Sequence, residues 1–214
     1  MQRLRLSYGR GEEARFISHL DTMRCWERIF RRGGVPIEYT HGFTPHPRIA
    51  FGAPLAVGFT SDRELMDVWL RTWMPPDSVV MLARREVPGG FTVYDALEVP
   101  LSAPSLQSVI RSAIYKCTAA HPAGLDGAQR AVDAFLDAEC VSHEVTRGDS
   151  VKTIELRPMV RSIELSETAD GEYDIVMQVS LSQEGTVRPE HVLDVLGFST
   201  PATMIHRAGV SLES

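Results

Sequence analysis

The apolar residues of this chain repeat every second position, then along one helical face, then every second position again, and this change of period runs through the sequence twice. Few architectures accommodate that order, because period two demands strands and period 3.6 demands helices. In the first half, Leu4, Leu6 and Tyr8 alternate with arginines as a half-buried strand. A helix start follows, with Ser18 as N-cap and Asp21 three residues on as a capping-box variant. The helix is predicted to run to Arg32 and to stop at Gly33-Gly34, where left-handed dihedrals cost glycine little. Its apolar stripe is Leu20, Met23, Trp26 and Phe30, with Arg24, Arg28 and Arg31 on another face. Pro36 to Tyr39 and Arg48 to Phe51 read as short strands, and Glu64 to Trp73 as their partner. A short helix in MPPDSVVMLARREVP and a strand in FTVYDALEVP complete the half.

The second half gives the same order. Ala113 to Ala119 is strand-like, Gly127 to Glu139 is helical with Ala131, Phe135 and Ala138 on one side, and VSHEVT and VKTIELRPMVRSIEL are strands. The stretch TRGDSVK between them reads as a solvent turn. Tyr173 to Leu181 is a further strand, Pro189 to Leu196 a short helix opened by proline, and ATMIHRAGVSL a closing strand. Strand–helix–strand–strand–helix–strand is the order of a ferredoxin-like plait, with both helices on one face of an antiparallel sheet. The chain is therefore expected to be α+β, two tandem ferredoxin-like plaits over residues 1–100 and 105–214, joined through LSAPS. Trp26, Trp69 and Trp73 fit core positions.

Three cysteines, Cys25, Cys117 and Cys140, are too few and too far apart for a disulfide framework or a CxxC metal knuckle, which points to a reducing cytoplasm. No run approaches the roughly 20 apolar residues that span a bilayer, so no membrane is expected. The net charge of −6 conceals an asymmetry: residues 1–50 hold nine arginines, no lysine and five acids, giving +4 and leaving −10 for the rest. A basic end on an acidic chain steers an anionic partner locally.

The loop YTHGFTPHPRIAFG brings His41, His46 and Arg48 together among glycine and proline breakers. Gly42 permits the positive φ that turns such a loop outward, and Phe43 is placed to stack on a base or to pin the loop. Guanidinium groups fit phosphate with a rigid donor fork, so Arg15, Arg24, Arg28 and Arg48 are candidate anion-binding groups. His19 and His46 titrate near neutrality and could serve as acid and base for RNA cleavage, if the fold places them together. With Asp21 and His41 they are also chemically suited to zinc or iron, although no i, i+4 histidine pair or thiolate set accompanies them, and no metal is expected.

The run from Arg15 to Glu64, RFISHLDTMRCWERIFRRGGVPIEYTHGFTPHPRIAFGAPLAVGFTSDRE, resembles the radical SAM-linked protein family. The positions that fit are Arg15, Ser18, His19, Asp21 and Arg24, then Gly42, Phe43, Pro45, His46, Pro47 and Arg48, and later Arg157 and Pro158. His41 and Thr44 depart from the family loop. Radical SAM chemistry needs a [4Fe–4S] cluster on closely spaced thiolates, which this chain lacks. The resemblance therefore implies an accessory binding subunit that has no cofactor of its own and works with a radical SAM enzyme; the arginines and Phe43 point to RNA or another anionic substrate, with RNA leading. The expected substrate-binding residues are Arg15, His19, Asp21, Arg24, Gly42, Phe43, His46 and Arg48. A looser architectural similarity is to the CRISPR-associated RAMP endoribonucleases. A metal-independent endoribonuclease and a protein-interaction scaffold are the alternative functions.

Overall fold

A computed structural model describes residues 1–148, 150–182 and 185–213. The chain divides into two compact units, one of residues 1–110 with 212–214 and one of residues 111–211. Each is α+β. The division falls a few residues beyond LSAPS, and the last residues group with the first unit.

In the first unit, β1 (Gln2–Arg10) is followed by a 3-10 turn at Glu12–Ala14, α1 (His19–Arg32), β2 (Ile49–Phe51), β3 (Thr60–Leu70), α2 (Pro76–Glu86), β4 (Phe91–Val99) and the short α3 (Leu106–Val109). The four strands are antiparallel in the order β4-β1-β3-β2. Such an order places the first strand centrally and makes the second an edge, as the predicted plait requires. Leu4, Leu6 and Tyr8 of β1, with Met66, Val68 and Leu70 of β3, pack against Trp26, Ile29 and Phe30 of α1 and Val79, Val80 and Ala83 of α2. Both helices thus lie on one face.

α1 begins where its sequence predicts. The Ser18 Oγ accepts from the Asp21 backbone N–H at 3.1 Å and donates to Asp21 Oδ2 at 2.7 Å, so cap and first-turn acid satisfy each other. At the other end Gly34 takes φ +70°, and Val35 N–H donates back to the Phe30 carbonyl. The apolar stripe is rotated from the expected one. Trp26 stacks edge-on against Tyr8 at 4.9 Å, and its contact with the sheet fixes the helix phase. At 100° per residue that turns Thr22 and Ile29 inward and leaves Leu20 and Met23 in solvent.

The sequence predicts a half-buried β1, but both its faces are covered. Arg3, Arg5 and Ser7 point away from the helices, and the segment after β4 lies over them: Arg3 donates to the carbonyls of Ala103 and Pro104 at 2.7 and 2.8 Å. The charge is balanced by Asp67 of β3, which has no exposed surface and accepts from Arg3 Nε and Nη2 and from Arg5 Nε and Nη2 at 2.6 to 3.1 Å. β3 also begins and ends earlier than its alternation suggests. Trp73 lies past it in solvent, its indole N–H 3.4 Å from Glu98 Oε2, because Arg71 N–H bonds the Pro36 carbonyl and the chain then turns into the prolines of α2.

In the second unit, β5 (Ile110–Ala119) leads into α4 (Gly124–Asp137), a hairpin of β6 (Ser142–Arg147) and β7 (Ser150–Glu155), and a 3-10 turn at Arg157–Met159. β8 (Val160–Glu167), β9 (Tyr173–Ser182), β10 (Gly185–Thr186), α5 (Pro189–Val195) and β11 (Met204–Leu212) follow. The strand order β11-β5-β9-β8 repeats that of the first unit, with the β6–β7 hairpin inserted after α4. Ala113, Tyr115, Cys117 and Ala119 face Val179, Met177, Ile175 and Tyr173 across the β5–β9 ladder, and all eight are buried. α4 turns Ala128, Val132 and Phe135 inward, so Phe135 is core as expected whereas Ala131 and Ala138 only border it. Asp149 of the predicted TRGDSVK turn lies outside the described residues. Among the described residues no helix is long and apolar enough to cross a membrane.

Removing Asp67 would strand the buried guanidinium of Arg3 and the half-buried one of Arg5. Asp67→Ala is expected to destabilise the protein by about 3–5 kcal/mol, with Asp67→Asn intermediate. Urea unfolding of the three proteins measures this, and equal midpoints would refute it.

Candidate functional site

Arg15 follows the 3-10 turn, and the first two turns of α1 carry His19, Asp21 and Arg24. Arg15 is a staple: its Nε donates to the Gly58 carbonyl at 3.0 Å, its own carbonyl accepts from Gly58 N–H, and Nη1 pairs with Glu12 at 3.1 Å. Its guanidinium also lies 4.9 Å from the exposed Phe16 ring. His19 is half-buried, edge-on to Phe51 at 5.4 Å, beside Tyr8, Arg10, Thr22 and Glu64. Burial first, and then the nearby Arg10 cation, hold its imidazole below the usual range, so the ring is neutral at pH 7. Asp21 is engaged by Ser18, and Arg24 by Asp21 at 3.4 Å on the exposed surface.

The loop that carries the other candidates is an excursion from the edge strand. Glu38 N–H donates to the Trp69 carbonyl at 2.7 Å, and Trp69 N–H donates to the Arg48 carbonyl at 3.1 Å, so residues on both sides of the loop bond one residue of β3. Arg48 N–H closes the base on the Glu38 carbonyl at 2.8 Å. One level out, Tyr39 bridges Pro47, Thr40 N–H donates to the His46 carbonyl at 2.8 Å, and His46 N–H donates to Thr40 Oγ1 at 2.9 Å. Thr40 thus supplies a side-chain acceptor inside the loop. Gly42 adopts φ +142° with open space where a Cβ would stand. Residues 41–46 are all exposed, and the Phe43 side chain is fully so at 107%. Phe43 is therefore presented outward and does not pin the loop.

At the loop's base lies a cleft of about 300 Å³ lined by Glu27 and Arg31 of α1, Pro36, Tyr39 and Pro47 of the loop's flanks, and Arg71. Its volume is at the small end for ligand pockets. Arg31 and Arg71 are both exposed, and Glu27 is the one acid in the lining. Arg48 stands nearby with its guanidinium 4.9 Å from the Trp69 ring.

These placements divide the predicted site. His19 opens α1 and Arg31 lies in its last turn, about 18 Å apart at ~1.5 Å per residue, and the loop is anchored at the Arg31 end. Among the described residues, no hydrogen bond, ion pair or ring contact joins Arg15, His19, Asp21 or Arg24 to Gly42, Phe43, His46 or Arg48. Arg24 is held by Asp21 near the helix start, whereas Arg31 and Arg71 lie at the loop base. Nor do His19, His41, His46 and Asp21 gather: no group of three His, Cys, Asp or Glu suited to a metal occurs among the described residues. Arg157 ties the end of α4 to β8 through the Leu136 and Val160 carbonyls.

Sequence reasoning missed Arg31, Tyr39, Arg71 and Trp69. Arg31 carried a signal, since it follows Arg24 and Arg28 on the helix face opposite Trp26. Arg71 and Trp69 carried little, because their place beside the loop depends on the pairing of β3 with the edge.

The fold is shared with a chain in the crystal structure of a Cbf5-Nop10-Gar1 complex, at TM-score 0.53 and 10% identity, over 94% of this chain and 47% of that one. This chain thus spans about half the length of that protein, and at such identity the likeness is one of fold alone. No curated protein matches the chain. A family model does match, over residues 3–189, and on that coverage the chain belongs to the family described as uncharacterized protein conserved in bacteria (DUF2344).

Proposed function

We propose that this protein is a cytoplasmic binding subunit that holds single-stranded RNA for a radical SAM enzyme. The observation that carries the reading is the Phe43 ring, wholly in solvent at the tip of a loop closed by two backbone hydrogen bonds and one to the Thr40 hydroxyl, and turned by Gly42. Exposing a phenyl ring costs hydrophobic free energy, and a stacking partner recovers it. Arginines surround the base of that loop: Arg31 and Arg71 line the cleft, and Arg48 lies beside Trp69. A flexible polyanion with unstacked bases satisfies both features at once, by phosphate pairing and by stacking.

Recognition without cleavage fits the same geometry. In-line cleavage requires an acid and a base at one phosphodiester, whereas His19 and His46 stand near opposite ends of α1. The radical SAM partner is supported by the resemblance of the loop and helix start to the radical SAM-linked family. The wide spacing of Cys25, Cys117 and Cys140 in the sequence leaves cluster chemistry to that partner.

Oligouridylate affinity is expected to fall steeply with salt, log K declining by about 0.7 per phosphate neutralised on log salt. Phe43→Ala should cost about 1–3 kcal/mol of RNA binding, the scale of one base–aromatic stack, without changing thermal unfolding. Arg31→Ala and Arg71→Ala should each reduce the salt slope, and the RNA should remain intact in chelator. A folded Phe43→Ala variant with unaltered affinity would remove the loop from the site. Pull-down with a radical SAM enzyme from the same cells tests the partner, and its absence from the complex would sink that half of the proposal.

A further inference from the structure

The contact between Arg48 and Trp69 is unlike the other arginine contacts of this unit. Trp69 lies in β3 between Val68 and Leu70, both wholly buried, and strand alternation turns its indole to the opposite face of the sheet, where it is partly exposed. Two guanidinium groups approach it: Arg3 at 5.1 Å and Arg48 at 4.9 Å. Arg3 is fixed by Asp67 and by the Ala103 and Pro104 carbonyls. The side chain of Arg48 has no carboxylate and no carbonyl partner among the described residues, and its single hydrogen bond is to Met1 Sδ at 3.5 Å, a weak acceptor. Arg48 is therefore a cation at the surface whose donor fork is nearly uncommitted, resting on an indole face.

We infer that Trp69 is a nucleobase-stacking platform covered by Arg48 in the free protein. An incoming base takes the guanidinium's place on the indole, and Arg48 turns to pair with a backbone phosphate of the same strand. The exchange replaces one cation–π contact by one base stack and gains a charge-assisted hydrogen bond, so it is favourable wherever base and phosphate arrive together. A partly exposed indole on the sheet face opposite α1 and α2 offers the kind of aromatic surface on which sheet-based readers stack unpaired bases. The position suits a strand already held at Phe43, because Arg48 is the residue at which the loop rejoins the edge strand and bonds Trp69. This inference rests on the reading of the protein as an RNA binder and adds a second, sheet-borne subsite to the loop.

The test compares a short oligouridylate with inorganic polyphosphate, an anion without bases, on the full chain. Trp69→Leu is expected to weaken oligouridylate about tenfold and to leave polyphosphate unchanged, whereas Arg48→Gln should weaken both. Oligouridylate should quench tryptophan fluorescence, with most of the quench lost in Trp69→Phe, where stacking persists and affinity stays within about threefold. The Phe variant decides the matter if the Leu variant fails to fold, because loss of the quench needs only the indole's removal. If Phe43→Ala weakens RNA binding while Trp69→Leu does not, and the quench survives Trp69→Phe, the platform is overturned and the loop site stands. If the unaltered protein binds polyphosphate and oligouridylate equally without any quench, base stacking is excluded at both places.

Discussion

Asp67 is the residue on which the sheet face opposite α1 and α2 depends. A carboxylate without exposed surface survives in a β-strand only if its lone pairs are filled, and Arg3 and Arg5 of the neighbouring strand fill them. Because each arginine must reach the same carboxylate, the β1–β3 register is specified by charge as well as by the alternation of Leu4, Leu6, Met66 and Val68. The remaining donors of Arg3 then fix the segment at Ala103 and Pro104, which closes over the sheet. Trp69, two residues along from Asp67 on the same face, inherits its position from this arrangement.

The edge strand is where that rigid frame opens into an exposed loop. An edge strand offers unpaired backbone groups and is usually kept short or interrupted. Here it is interrupted by the 39–47 excursion, whose base is closed on Trp69 from both sides and whose tip presents Phe43. Precision at the base and exposure at the tip come from the same few hydrogen bonds. The helix start, by contrast, spends its polar groups internally: Arg15 holds Gly58, Ser18 and Asp21 cap the helix, and His19 is neutral and half-buried. Residues that look alike as charges in the sequence therefore divide into structural staples and free cations.

Periodicity and turn chemistry determined the architecture. The strand–helix order, the Ser18 cap, the stop at Gly34 and the outward turn at Gly42 are local properties, set by side-chain spacing and backbone freedom, and each occurs where the sequence places it. The role of the loop as an exposed element was legible for the same reason. What only the tertiary structure decided is which distant residues meet. The helix phase followed Trp26 against Tyr8 and turned Leu20 and Met23 outward. The pairing of β3 with the edge brought Arg71 and Trp69 to the loop in place of Arg15 and His19. A buried Asp67 drew Arg3 of an apparently half-exposed strand into the interior and Arg5 partly so. Each of these outcomes is fixed by packing and charge balance between segments tens of residues apart, and no local pattern of hydrophobicity or propensity encodes that balance.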